Sequence, residues 1–271
     1  MNVSRLALGF AILLSACAPG NPPGAGGNTT AANLTASQKA SIGRKIWQNE
    51  SGGSIDGLTA WNAGEEFPSL GIGHFIWYPA GFNGRFEESW PEFAKFAKNN
   101  GANPPAIAMQ RNSPWRTRAE FQSQFNSAEM KSLRSWLAAN VTLQTDFIIV
   151  RSRGALPKML AAAPASERAK IQANYQKVST TPQGTYALID YVNFKGEGVS
   201  PTEKYNGQGW GLLQVLGGMN NVPSGAAAAT EFAASAKRVL SRRVANAPAA
   251  RNEGKWLPGW HNRCDTYARP L

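Results

Sequence analysis

Residues 46–78 constrain this 271-residue chain more than any other stretch. Ile46-Trp47-Gln48-Asn49-Glu50-Ser51 runs into Gly52-Gly53, which predicts a helix stopped by glycine in the left-handed conformation, with Glu50 in its last turn. The negative end of a helix dipole disfavours an anion, and a general acid must hold its proton near neutral pH, so Glu50 is the first candidate for acid chemistry. Leu58 to Asn62 and Phe67 to His74 are two β-prone runs around Ala63-Gly64-Glu65-Glu66, the pattern of a hairpin folded back toward that acid. Gly71 and Gly73, two apart, leave one face of the second strand bare. Such a strand is bent by a bulge or approached closely by another backbone or a ligand. His74, between Gly73 and Phe75, is expected to lock the strand end through its imidazole rather than to react.

Helix, Glu, hairpin and [Ser/Thr]-x-Gly-x-Gly-His together resemble the catalytic core of phage-type lysozymes in the lysozyme-like superfamily. The resemblance covers about thirty residues and implies that Glu50 is the acid, that Ser69 stands where the family has Thr, and that Gly71-Ile72-Gly73-His74 is the glycine-histidine run. The family's Asp falls at or beside Asn62, a departure. Glu66 or Glu65 in the turn would then supply the second carboxylate from a shifted position. Glu50-Ser51 also resembles the Glu-Ser motif of lytic transglycosylases, and Asn262-Arg263 the Asn-Arg ending of phage-lysozyme helices. The implied fold is α+β and predominantly α-helical, lysozyme-like, with one small β-hairpin at the active-site cleft around residues 57–76. The implied activity is cleavage of peptidoglycan glycan strands.

The chain divides into three parts. Arg5, the apolar run Leu6 to Leu14 and Ser15-Ala16-Cys17 form a signal peptide over 1–17, too short to span a bilayer permanently. Leu14-Ser15-Ala16-Cys17 resembles a bacterial lipobox, which implies lipidation at Cys17. Ala18 in second place implies the outer membrane, with the protein on its periplasmic face. Residues 18–34, rich in Pro, Gly and Asn, are a flexible tether. Residues 35–271 are one lysozyme-like domain opened by the capping box Thr35-x-x-Gln38. With Cys17 lipidated, Cys264 is left as an unpaired thiol.

Helical periodicity dominates after residue 89. Capping boxes are expected at Ser89-x-x-Glu92 and Thr117-x-x-Glu120, a polar helix over Ser166 to Val178 and an alanine-rich one over Ser224 to Val244. Trp61, Trp77 and Tyr78 flank the presumed cleft, where aromatic faces would stack on sugar rings. A second stretch, Tyr186 to Leu216, sets planar hydrogen-bonding groups among glycines and rings. Asn193, Gln208, Trp210 and Gln214 are its candidates for sugar binding, with Gly71 and Gly73 giving a substrate room at the hairpin. Glu197 is the best carboxylate outside the hairpin to face Glu50.

Net charge is +11, and removing Arg5 with the signal peptide leaves +10, which draws the protein toward anionic cell wall and lipid head groups. Nucleic acid is not an expected partner in the periplasm. Two histidines and two cysteines, none clustered, argue against a metal site, and no phosphate-cradling loop or other cofactor motif is present. The expected partners are peptidoglycan and, through Cys17, a membrane, with the protein a monomer. Two readings stay open: a muramidase or lytic transglycosylase, and a lipid-anchored module that binds peptidoglycan without turnover.

Overall fold

The computed structural model describes residues 34–84 and 86–271. The signal segment, Cys17 and the tether up to residue 33 lie outside the described residues. Helix α1 (Ala36–Ser51) begins at the expected capping box: Gln38 N–H donates to Thr35 Oγ1 at 3.2 Å and Gln38 Oε1 accepts from Thr35 N–H at 2.8 Å. It ends as the glycines require, with Gly52 at φ 64°.

After α1 come three short antiparallel strands, β1 (Thr59–Ala60), β2 (Ser69–Leu70) and β3 (Phe75–Ile76), in that order across the sheet. Thr59 pairs with Leu70, and Ser69 with Ile76. The expected hairpin is therefore a three-stranded meander. Gly71 and Gly73 sit in the tight turn between β2 and β3, not in a strand interior. Gly71 takes φ 72° and His74 takes φ 47°, the left-handed values that close this turn.

The rest is helical: α2 (Trp90–Asn99), α3 (Arg118–Ser123), α4 (Ala128–Ala139), α5 (Val141–Arg153), α6 (Ala155–Ala162), α7 (Ala165–Ser179) and α8 (Pro182–Lys195). A second small hairpin, β4 (Lys204–Tyr205) with β5 (Gln208–Gly209), precedes α9 (Leu212–Gly217), α10 (Ala226–Asn246) and α11 (Leu257–Asp265). This hairpin was not expected. Its turn is Asn206-Gly207, both at positive φ (49° and 73°), and Asn-Gly is the dipeptide such a turn favours.

Among the described residues the architecture is α+β and predominantly helical, with two small antiparallel sheets. Helix α1 packs on α5, α5 on α2 and α8, α8 on α7 and α10, and α10 on α11. One apolar cluster runs from Ile42 in α1 to Tyr267 near the C-terminus. Beneath the first sheet it is largely aromatic: Trp77 lies 5.3 Å from Trp90 and Phe75 lies 4.7 Å from Phe93, ring centroid to centroid.

Candidate active site

Glu50 is where three distant parts of the chain meet. As the penultimate residue of α1, it projects from the helix end toward α8, α11 and the β2–β3 turn. Its Oε1 accepts from Arg263 Nη2 at 2.6 Å and from Asn193 Nδ2 at 3.1 Å, while His74 Nδ1 lies 3.5 Å from its Oε2. The side chain keeps 14 % of its surface exposed, so the acid is set into the wall of the molecule but still reachable.

The scaffold behind it is a buried polar network. Asp190 and Asn193, three apart on α8, share one helical face. Asp190 is fully buried; its two oxygens accept from Arg263 Nε and Nη2, both at 2.8 Å, and Oδ2 also accepts from the Tyr267 hydroxyl at 2.7 Å. Arg263 thus grips Asp190 with a forked pair of bonds and reaches past it to Glu50. Burial alone would discharge a guanidinium, but Asp190 and then Glu50 hold Arg263 firmly charged. Asn49 donates to the Tyr186 hydroxyl at 2.9 Å and fixes the end of α1 against α8. Burial first, then the Asp190 charge, keep the Tyr186 and Tyr267 phenols protonated well past their ordinary range.

The β2–β3 turn is held beside Glu50 by α5. Ile72 N–H donates to Gln144 Oε1 at 2.9 Å, and Gln144 Nε2 donates to the Leu137 carbonyl at 2.7 Å. The group that approaches Gly71 is this amide, and a Cβ at Gly71 would overlap its oxygen. At Gly73 a Cβ would lie 2.6 Å from the Phe75 ring and 3.0 Å from Ile148. Both glycines serve packing rather than leaving room for a ligand. Nε2 of His74 is buried without a hydrogen-bond partner.

Among the other residues singled out from the sequence, Asn193 joins Glu50 directly. Ser69 is buried in β2. Asn62 is exposed and donates to Glu65 Oε2 at 3.1 Å; neither it nor Glu66 bonds to Glu50. Trp77 is fully buried and offers no face to a substrate, a correction to its expected role. Tyr78 is buried too, with its hydroxyl donated to the Phe86 carbonyl at 2.7 Å. Trp61 is 4 % exposed and donates its indole N–H to the Glu65 carbonyl at 2.7 Å. Glu197 pairs with Lys158 at 3.1 Å and does not bond to Glu50. Gln208 is exposed in β5. Gln214 clasps its own loop, accepting from Gly211 N–H at 2.9 Å and donating to the Gly198 carbonyl at 3.0 Å. Trp210 is buried against the Tyr205 ring, with the Arg243 guanidinium 4.1 Å from its own ring centroid. Among the described residues no group of three His, Cys, Asp or Glu is placed to hold a metal ion.

Sequence reasoning missed Asp190 and the role of Arg263. Asn262-Arg263 was visible as a motif, but nothing local says which carboxylates a guanidinium 213 positions away will meet. Compared with family models, curated proteins and solved structures, the chain gives no match.

Proposed function

We propose that this protein cuts the glycan strands of peptidoglycan with Glu50 as the proton donor, on a lysozyme-like scaffold. The observation that carries the reading is the convergence of α1, α8, α11 and the β2–β3 turn on one part-buried, still reachable carboxyl group. A core that needed only packing would not gather Asn193, Arg263 and His74 around it.

Among the described residues no second reachable carboxylate touches this group, since Asp190 is fully buried. Hydrolysis normally uses two carboxyl groups. One is enough where the substrate supplies its own nucleophile, which favours a lytic transglycosylase over a muramidase. Glu50 gives its proton to the glycosidic oxygen as the bond from that oxygen to the anomeric carbon breaks. The C6 hydroxyl of the same sugar then bonds to that carbon, and its proton returns to Glu50. The product is an internal 1,6-anhydro ring, and no water is consumed. Asn193 and Arg263 hold Oε1 throughout, leaving Oε2 as the atom that exchanges the proton. The basic balance of the chain favours an anionic polymer as substrate.

The same clamp favours the second reading, a non-catalytic peptidoglycan-binding lipoprotein, because Oε1 is already engaged twice. Digestion of purified cell wall decides between them. Wild type is expected to release anhydro-ended fragments, and Glu50→Gln to bind the wall but lose roughly 10²–10⁴-fold in rate. Reducing ends in place of anhydro ends mean hydrolysis. Binding with no release by wild type leaves the binding module.

A further inference from the structure

A second concave site is lined in part by the β1–β2 connection and takes no part in the chemistry above. It is an open groove of about 620 Å³, with Trp61, Glu65 and Glu66 on one wall and Phe82, Arg116 and Arg118 among its other lining residues. Glu50 is not part of it.

The opposite charges that line this groove do not pair with one another. Among the described residues, the Glu66 carboxylate and the Arg116 guanidinium have no hydrogen-bond or ion-pair partner, and neither acid pairs with either arginine. The groove is nevertheless built. Trp61 donates its indole N–H to the Glu65 carbonyl at 2.7 Å, Arg118 Nε donates to the Trp61 carbonyl at 2.9 Å, and Asn62 Nδ2 holds Glu65 Oε2 at 3.1 Å. Those bonds tie the acidic turn to the start of α3 and leave the terminal nitrogens of Arg118 unused. Arg116 is oriented through its backbone, whose N–H donates to Glu120 Oε2 at 2.8 Å, so its side chain is not consumed.

A groove with unspent charges of both signs fits a molecule carrying both charges in the complementary order. We propose that this groove binds a zwitterionic peptide segment, its ammonium against Glu65 and Glu66 and its carboxylate against Arg116 and Arg118. Resting on the function proposed above, the source is the peptide stem of the cell wall, at a diamino acid that keeps one free amine and one free carboxyl group. The glycan is then read at Glu50 and its stem at a separate place. A neutral sugar would leave all four charges unanswered, which is why the stem and not the glycan belongs here.

Titration calorimetry of the full chain with the tripeptide L-alanyl-γ-D-glutamyl-meso-diaminopimelate tests this. Binding is expected to weaken about two- to fivefold for Glu66→Gln and similarly for Arg116→Gln, as for exposed charge contacts. It should weaken further for the double variant, for the tripeptide acetylated at the free amine of its diaminopimelate residue, and at raised salt. Both substituted positions are exposed, so the variants are expected to fold as wild type does. Tripeptide binding that ignores these substitutions, or no binding at millimolar tripeptide, overturns the proposal. Digestion of wall glycan stripped of its stems separates the two readings. Cleavage without tripeptide binding removes the groove assignment and keeps Glu50. Tripeptide binding with no cleavage of intact or stripped wall keeps the groove and removes the enzyme.

Discussion

Arg263 does two jobs with one side chain, neutralising a fully buried Asp190 and positioning Glu50. Arg263→Met should cost about 3–5 kcal/mol in urea unfolding, because Asp190 is left buried without its cation. Arg263→Lys should recover only part of that, since an ammonium is a point charge and cannot fork across Asp190 while also reaching Glu50. Glu50→Gln should stay within about 1.5 kcal/mol of wild type, because the Asp190–Arg263 pair survives it. The contrast separates scaffold from the proposed chemistry: the arginine variants lose stability first, and under the proposed function Glu50→Gln loses turnover alone. If Glu50→Gln unfolds as readily as Arg263→Met, Glu50 belongs to the scaffold. Only half of this cluster was legible in the sequence. Glu50 stands out because helix end and glycines are neighbours in the chain, whereas Asp190 looks like any polar residue within an apolar helical run until the fold brings α11 beside it.

At the scale of elements, local signals succeeded where the deciding atoms are local. Thr35, Gln38 and Gly52 fix both ends of α1 within a few residues of each other. Thr117 likewise caps α3, accepting from Glu120 N–H at 3.2 Å. Ser89 shows the opposite outcome: its Oγ accepts from Ile76 N–H at 3.2 Å, so the residue that resembled a capping box ties β3 to α2 instead. The glycines of the β2–β3 turn read as strand residues in the sequence, because Gln144, whose amide oxygen excludes a Cβ at Gly71, lies in α5, 72 positions beyond the Ile72 that it holds. Two glycine variants measure that requirement. Gly64 sits at φ 85° with nothing near a Cβ, so Gly64→Ala should cost only the left-handed backbone penalty, about 1–2 kcal/mol. Gly71→Ala carries the same penalty and also displaces the Gln144 amide from Ile72, adding about 1–3 kcal/mol for a buried group left unpaired. Equal losses in the two variants would show that Gln144 does not hold the turn.

At the scale of the whole molecule, basic side chains gather beside the site. Lys195 ends α8 with its Nζ 4.0 Å from the Phe194 ring centroid and 3.6 Å from that of Trp260. The Arg263 guanidinium lies 4.2 Å from the same Phe194 centroid, and Arg243 grips Glu253 at 2.7 and 2.8 Å nearby. Burial, then the charges of Arg243 and Arg263, push the Lys195 amine down from 10.5 to about 6, with Glu253 and Cys264 opposing. Between those values the unfolded chain holds one proton more at this position than the folded chain, so the contribution of Lys195 to stability rises with pH. Below about 6 both states are protonated and the full penalty of a charged amine among two arginines applies; above 10.5 it is gone. Lys195→Met keeps the apolar stem against Trp260 and has no proton to bind. Its melting temperature should therefore exceed that of wild type most at pH 5–6, with the advantage shrinking steadily toward pH 10. Because every other titrating group is common to both proteins, the difference between the two curves isolates this amine. A difference that stays flat across that range would mean the amine is charged in the folded protein throughout.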